Sequence, residues 1–265
     1  MCRLKSGIIL KDQVFIPDYD SHTDMLKELN IKDDKFNAST LFVRAELLPI
    51  NDDILSNIST WQFNVDQDIL PEWFVYEYDK KRMIEAVKEW SKNHVFENVN
   101  NLELKGEGKY YLKNCKNVEV YDSCEIIAYG NCTINTYDDC TVNAYNECII
   151  NAYNNCTVKA SDKCMIAAHD SCTVYVYDNC IINAQDKCTI YAFNNCTVKA
   201  CGNCKGYTYD NCTINARDNC RFYTFYNCIV NIQNNCIVNA YHKCIINADE
   251  NCIINKHDKC KIYYK

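Results

Sequence analysis

The chain has 265 residues, of which 48% are hydrophobic, and it carries a formal net charge of −7 at pH 7. Residues 1–105 contain 13 basic and 19 acidic side chains, whereas residues 106–265 contain 15 and 16; this near-neutral second part argues against direct nucleic-acid binding, which needs clustered lysine and arginine. No apolar stretch is long enough to span a bilayer and the first ten residues lack a signal-peptide core, so we expect a cytoplasmic protein that does not enter a membrane.

The first 105 residues show no repeat and predict a small α+β domain. Residues 8–10 and 14–16 are short apolar runs on either side of a polar tripeptide, which predicts a hairpin. Ser21 precedes an amphipathic segment that contains Met25 and Leu26, which is typical of an N-capped helix.

The remainder of this part predicts two further strands and a second helix. The strands are expected at residues 41–47 and 60–65, where β-branched and aromatic residues are enriched. The helix is expected from about residue 80 to residue 94, with Asp79 as its N-cap.

One cluster in this domain has residue types suited to chemistry, namely Asp18, Asp20, His22 and Asp24. It could form a metal site or an acid–base pair, or it could be a polar loop that runs into a helix cap. We favour the polar loop, because no nucleophile elbow, P-loop or H-E-x-x-H motif accompanies the cluster. The sequence therefore predicts no catalytic residue, no cofactor and no enzyme activity.

The chain contains 21 cysteines, and most of them recur at every eighth position. The periodic cysteines are Cys124, Cys132, Cys140, Cys148, Cys156, Cys164, Cys172, Cys180, Cys188, Cys196, Cys204, Cys212, Cys220, Cys228, Cys236, Cys244, Cys252 and Cys260. Cys115 precedes the series by a nine-residue step, and Cys2 and Cys201 lie outside it. Such regularity predicts buried thiols in the core of a stacked repeat, with structural disulfides and thiolate metal binding as the alternatives.

Each octad predicts a strand followed by a corner. In residues 140–147, for example, positions one, three and five are Cys140, Val142 and Ala144, and the intervening residues are polar. This alternation is typical of a strand with one buried face. Asn and Asp recur at the last positions of the octad, where they favour tight turns.

The exterior of the octads alternates, so that the full period is two octads. Tyr175, Tyr191, Tyr207 and Tyr223 occupy position four of every second octad. We therefore predict a two-sided coil that contains two octads, and rank a three-sided coil of three octads second. The fold class is then mainly β: a parallel β-solenoid of about nine coils over residues 106–265, capped by the α+β domain of residues 1–105.

Aromatic side chains in these outward positions form the candidate binding surface. The set is Tyr175, Tyr191, Tyr207, Tyr223, Tyr145, Tyr177, Phe193, Tyr209, Phe225 and Tyr241. Tyrosine is enriched at protein interfaces because it combines a large contact area with a polar hydroxyl. Stacked aromatic residues also stabilise neighbouring strands, so the rows have a purely structural explanation as well.

Lysines cluster around the last octad, at Lys256, Lys259, Lys261 and Lys265. An uncovered sheet edge invites edge-to-edge association, and lysines at such an edge oppose it. We interpret these lysines as protection of the edge. The alternative is a homodimer through the C-terminal coil, at residues 262–264.

The octad resembles a known group of proteins. Residues 144–148 read AYNEC and residues 176–180 read VYDNC, which is similar to the short-repeat β-solenoid proteins of phage and prophage genomes. The opening at residues 7–29 is similar to the head of phage-type proteins. The predicted architecture also resembles, more distantly, that of pentapeptide-repeat proteins, some of which inhibit host enzymes by occupying nucleic-acid channels. The resemblance implies a rigid solenoid from a phage or prophage.

The function expected from these observations is a non-catalytic scaffold that binds and inhibits or modulates a host protein, including a defence protein, in the cytoplasm of the bacterial host. The alternatives are ice or surface binding through the row Thr141, Thr157, Thr173 and Thr189, and metal binding by the thiol ladder. A glycan-active enzyme is less consistent with the sequence, because the acidic residues lie mostly at turn positions.

Overall fold

The structure is a computed structural model that describes residues 5–264, apart from the side chain of Asp52. Cys2 and Lys265, which the sequence analysis singled out, lie outside the described residues. The chain divides into two compact units, one that ends at Val95 and one that begins at Phe96. Within residues 5–264, no helix combines the length and the apolar character that crossing a membrane requires.

The first unit contains an antiparallel sheet in the order β2-β1-β3-β4. Its strands are β1 (Lys5–Leu10), β2 (Val14–Phe15), β3 (Phe42–Leu48) and β4 (Gln62–Val65). The predicted hairpin is confirmed, since Ile9 pairs with Val14. Ile8, Met25 and Phe42 are fully buried in the core of this unit.

Residues 5–95 form three α-helices, α1 (His22–Glu28), α2 (Lys35–Ala38) and α3 (Tyr76–His94), and two short 3-10 helices at Ile50–Asp52 and Ile58–Thr60. The predicted N-cap of α1 is confirmed, because the Ser21 hydroxyl accepts a hydrogen bond from the backbone N–H of Asp24. The sequence did not indicate α2, a single turn that Asp34 caps.

The predicted start of α3 was wrong by about one turn. Asp79 is not the N-cap but a buried residue in the first turn, and the helix begins at Tyr76. Its carboxylate accepts a hydrogen bond from the backbone N–H of Val75 at 2.8 Å. An acidic side chain that reaches back to the true cap residue resembles an N-cap in sequence, which explains the error.

The second unit is the predicted parallel β-solenoid, with two sheets of eleven strands each. The odd sheet consists of β5 (Val95–Glu97), β7 (Lys109–Lys113), β9 (Glu125–Tyr129), β11 (Thr141–Ala144), β13 (Thr157–Ala160), β15 (Thr173–Val176), β17 (Thr189–Ala192), β19 (Lys205–Thr208), β21 (Arg221–Thr224), β23 (Ile237–Ala240) and β25 (Ile253–Lys256). The even sheet consists of β6 (Asn100–Leu104), β8 (Lys116–Val120), β10 (Thr133–Thr136), β12 (Ile149–Ala152), β14 (Met165–Ala168), β16 (Ile181–Ala184), β18 (Thr197–Ala200), β20 (Thr213–Ala216), β22 (Ile229–Ile232), β24 (Ile245–Ala248) and β26 (Lys261–Tyr264).

The register confirms the two-sided coil of two octads. Thr141 pairs with Thr157, and Thr157 pairs with Thr173, so successive coils superpose residues that are two octads apart. The number of coils is about eleven rather than nine. Val99 and Gly108 occupy the cysteine position before β6 and β7, so the first coils do not show the cysteine period, and solenoid strands precede residue 106.

The interior of the solenoid is lined by cysteine, isoleucine or valine, and alanine. In β15, Val174 and Val176 are buried, whereas Thr173 and Tyr175 face outward. Cys115 and the periodic cysteines are all buried, and the cysteines within residues 5–264 are free thiols. The interpretation of the cysteine ladder as core packing is therefore confirmed.

Asparagine and aspartate build the corners, as their frequency predicted. After the odd strands, two consecutive residues often adopt a left-handed backbone, such as Asp178 and Asn179 with φ of 54° and 66°, or Asn194 and Asn195 with φ of 56° and 64°. These residues tolerate that conformation because their short polar side chains bond to local backbone groups. The chain therefore reverses without glycine at most corners.

Candidate functional site: an aromatic platform on the odd sheet

A ladder of tyrosines lies at octad position four, which is the third residue of each of four adjacent odd strands. Tyr175, Tyr191, Tyr207 and Tyr223 lie on β15, β17, β19 and β21, and each pairs in register with the next. Their ring centroids are 4.7, 5.2 and 5.1 Å apart, and adjacent planes differ by 6–8°. The two-octad period thus converts a spacing in sequence into a stack of rings.

A second aromatic ladder lies two residues further along the same coils. Its members are Tyr177, Phe193, Tyr209, Phe225, Tyr241 and His257. Their centroids are 4.3–5.0 Å apart. Because residues i and i+2 of a strand project from the same face, this ladder lies beside the first one at a separation of roughly 7 Å.

The cysteine ladder positions the second aromatic ladder at the corners. The Tyr177 backbone N–H donates to the Ala160 carbonyl at 2.9 Å, so the parallel pairing continues past the end of β15. The Cys180 thiol then donates to the Tyr177 carbonyl at 3.0 Å, and Cys196 bonds Phe193 in the same way. Cys212, Cys228 and Cys244 bond the next members of the ladder in the same way, so each of these five thiols satisfies the backbone carbonyl of an outward aromatic residue.

We call the four coils in which both ladders are aromatic the aromatic platform. It consists of Tyr175, Tyr177, Tyr191, Phe193, Tyr207, Tyr209, Tyr223 and Phe225. Three coil spacings of about 4.8 Å give it a length of roughly 15 Å along the solenoid. Seven of its residues are half-buried, and Tyr177 is exposed, at 39%.

The stacking determines which part of each ring faces outward. Within a ladder the rings are nearly parallel, and the centroids around Tyr191 and Phe193 are 4.7–5.2 Å apart. Neighbouring rings therefore cover both faces of each of these interior rings. The outward parts are the ring edges and the tyrosine hydroxyls. Such a surface offers apolar area and hydrogen bonds, but few free ring faces.

Charged side chains border the platform on both sides. Lys205 and Arg221 occupy octad position two, which is the first residue of β19 and of β21, and both are exposed. Asp178 and Asp210, also exposed, follow the second ladder at the corners. Lys159 pairs in register with Tyr175 at one end of the platform. Cations therefore border the platform at two of its four coils, and aspartates border its other side at two.

The structure brings together nine of the ten residues that the sequence proposed for a binding surface. Tyr241 extends the second ladder beyond the platform. Tyr145 lies apart, because Ser161 occupies the intervening coil, and it stacks instead on Tyr129 at 5.3 Å. The register thus separates one residue that the period alone grouped with the others.

One further ladder was missed by the sequence analysis. Tyr121, Tyr137, Tyr153 and His169 stack at 4.9–5.1 Å at the corners that follow the even strands. Their regular spacing of two octads was the signal that could have revealed them. The ladder ends where Gln185 follows His169 in the series.

Two of the solenoid thiols, Cys124 and Cys140, are poorly suited to bind metal or to act as nucleophiles. Burial raises the pKa of the Cys124 thiol to about 11, and it also raises the pKa of Cys140. At neutral pH these two thiols remain protonated, whereas the thiolate is the form that coordinates metals and attacks electrophiles.

Three residues of the predicted cluster, the weak metal candidates Asp18, Asp20 and His22, bind different partners. Asp18 accepts hydrogen bonds from His94 Nε2 at 2.8 Å and Trp90 Nε1 at 3.2 Å. Asp20 bonds Lys5 Nζ and the Ser6 backbone N–H, each at 3.2 Å. His22 instead faces Asp66. The three therefore do not form one site.

The even sheet presents a different, polar exterior. Asn215, Asn231 and Asn247 form an amide ladder with hydrogen bonds of 2.9 and 2.8 Å. A groove of about 800 Å³ runs beside this ladder, and Lys199 and Arg217 contribute its cationic side chains. Because these amides bond to one another, they offer fewer free donors and acceptors than their number suggests.

Comparison with known proteins identified no relative of this chain. No protein-family model, no curated protein and no solved structure matches this chain.

Proposed function

We propose that this protein is a non-catalytic binding scaffold, encoded by a phage or prophage, that binds and inhibits or modulates a host protein in the bacterial cytoplasm. Host defence proteins belong to this class of partner. The observation that carries the proposal is the aromatic platform, in which eight aromatic side chains share one face of four adjacent coils. Aromatic residues of this kind dominate the binding energy of protein interfaces.

The orientation of the rings favours a protein partner over a glycan or a nucleic acid. Sugars and bases stack on the faces of aromatic rings. In both ladders, the ring faces in the middle of the stack are already covered by neighbouring rings. A protein surface can pack against ring edges and accept or donate hydrogen bonds at the hydroxyls of Tyr191, Tyr207 and Tyr209.

The platform also suits protein binding better than ice binding. The threonine row is in register over β11, β13, β15 and β17. However, Lys205 continues this row, and Lys159 and Tyr175 follow Asn143 in the row beside it. The threonines therefore lie beside charged and aromatic side chains rather than in a uniform hydroxyl surface.

Rigidity supports the same proposal. Each strand of the platform is hydrogen-bonded on both sides, for example β17 to β15 and β19. The rings are further held by stacking, so little conformational entropy remains to be lost on binding. Preorganised aromatic side chains bind more tightly than mobile ones for this reason.

The decisive experiment compares two variants that remove equal numbers of tyrosines. The full chain and both variants are used as bait in lysate of the native host, and bound proteins are identified by mass spectrometry. The platform variant carries Tyr191→Ser, Tyr207→Ser and Tyr223→Ser; the control carries Tyr121→Ser, Tyr137→Ser and Tyr153→Ser in the ladder outside the platform. We expect a specific partner that the platform variant loses and the control retains.

A further variant separates the effect on binding contacts from the effect on stability. Replacing Tyr191, Tyr207 and Tyr223 by Phe keeps the stacked rings and removes only the hydroxyls. We expect the Phe variant to keep the thermal stability of the parent and to bind the captured partner about tenfold more weakly, which corresponds to one or two lost hydrogen bonds. A host proteome that yields no partner lost by the Ser platform variant would contradict the proposal.

A further inference from the structure

Both ring nitrogens of His22, a nearly buried side chain, lie close to oxygen atoms. Its side chain is 10% exposed, its Nε2 lies 3.3 Å from the Ala45 carbonyl oxygen, and its Nδ1 lies 3.3 Å from Asp66 Oδ2. Both of these partners are acceptors. A neutral imidazole carries one N–H, so one nitrogen must direct a lone pair at an oxygen.

The carboxylate of Glu46 lies beside the same histidine. The ligand atoms of His22, Glu46 and Asp66 all lie within 4.8 Å of one another. Two carboxylates at this separation repel each other unless a cation lies between them. A single positive charge on the imidazole would offset only one of the two carboxylates, whereas a divalent cation would offset both.

From this geometry we infer a binding site for a divalent transition-metal ion, with His22 Nδ1, Glu46 and Asp66 as its protein ligands. The Nε2–H of His22 donates to Ala45 in this arrangement, which fixes the tautomer and turns Nδ1 towards the carboxylates. A backbone carbonyl commonly plays this role behind a metal-bound histidine. One imidazole and two carboxylates suit Zn²⁺, Mn²⁺ or Fe²⁺ rather than a soft monovalent ion.

The fold holds the three ligands on separate elements. His22 is the first residue of α1, behind the Ser21 cap, and Glu46 lies on β3. Asp66 follows β4, and its backbone N–H donates to the Arg44 carbonyl at 2.9 Å. The Asp66 side chain is 59% exposed, so an ion bound here would keep coordination positions open to water or to an external ligand.

The inference is tested by metal titration of the full chain. Mn²⁺ is the first probe, because thiols bind it weakly, and its free concentration is followed by electron paramagnetic resonance; Zn²⁺ is the second, followed by calorimetry. We expect one ion per chain for each metal. His22→Gln, Glu46→Gln and Asp66→Asn should each weaken binding at least tenfold, whereas Asp18→Asn, which alters the other histidine–aspartate pair of this unit, should not.

Two outcomes would overturn the site. One is the absence of both Mn²⁺ and Zn²⁺ binding at millimolar concentration. The other is binding that Glu46→Gln and Asp66→Asn leave unchanged. Asp66 is exposed and Asn preserves its shape, so loss of binding in this variant together with an unchanged circular dichroism spectrum excludes misfolding as the cause.

Discussion

The corners show how far single residues determine this fold. Most left-handed positions after the odd strands hold Asn or Asp. The exceptions among non-glycine residues are Glu147, Lys163, Tyr226, His242 and Lys243, with φ of 66°, 68°, 55°, 52° and 65°. A left-handed backbone costs a residue other than Gly or Asn about 1–2 kcal/mol. The sequence predicted the corner residues by type, whereas the exceptions were visible only once the corners were placed.

We therefore predict that Glu147→Asn, Lys163→Asn and Lys243→Asn each stabilise the protein. The expected gain is about 0.5–1 kcal/mol per substitution in the free energy of unfolding, because Asn tolerates this conformation. Urea denaturation followed by circular dichroism measures it, and the reverse change Asn195→Lys at an equivalent corner (φ 64°) should lower stability. Unchanged or reduced stability in all three Asn variants would contradict this account of the corners.

At the level of strands, the octad determines which positions point into the interior, but not the size of the side chain at each of them. Octad position three, the second residue of each strand, holds Val or Ile in most strands. It is Gly206 in β19 and Phe222 in β21. These residues pair in register, and a Cβ on Gly206 would lie 2.1 Å from Phe222 Cε1. The large ring occupies the space that the glycine leaves, directly beneath the platform residues Tyr207 and Tyr223.

This complementarity predicts a rescue. Gly206→Val should destabilise the protein by at least about 1–3 kcal/mol, because an overpacked interior forces side chains off their rotamers. Phe222→Val should also destabilise it, by about 2–4 kcal/mol, through the cavity it leaves. The double variant restores the pattern of the other strands and should be more stable than either single variant.

The control for that prediction is a distant core substitution. Ile150→Val in β12 lies in the even sheet, outside the pair, and its effect should add to that of Gly206→Val without coupling. Thermal unfolding of the parent and five variants provides the comparison: the three single variants, the Gly206→Val/Phe222→Val double and the Ile150→Val/Gly206→Val double. Additive losses in Gly206→Val with Phe222→Val would show that the two side chains do not share one space.

On the scale of the whole molecule, the sequence was informative where contacts repeat and uninformative where they do not. A period of two octads predicted the two-sided coil, the sealed thiols and both aromatic ladders of the platform. It could not predict that ring faces would be covered, because that depends on side-chain rotamers. His22, Glu46 and Asp66 come together only through the antiparallel register of the first unit, which pairs Glu46 with Asn64, and no local pattern encodes that juxtaposition.

The sealed interior makes a prediction about the reactivity of the whole chain. Cys201 is the one partly exposed cysteine among residues 5–264. A water-soluble alkylating reagent should therefore modify Cys201 rapidly in the native protein, and a Cys2→Ser background removes the thiol that lies outside the described residues. The buried cysteines should react at least about a hundredfold more slowly, because reaction requires local opening that costs roughly 3 kcal/mol or more.

Mass spectrometry of peptides after timed alkylation distinguishes this arrangement from an open one. Cys201→Ser in the same background should abolish the rapid phase, and chemical denaturation should expose all remaining thiols together. Because each coil depends on its neighbours for burial, interior thiols such as Cys172 and Cys188 should be protected to a similar degree. Rapid alkylation of most thiols in the native chain would mean that the two sheets do not enclose the cysteine ladder, and the corner bonds that position the aromatic platform would then be absent as well.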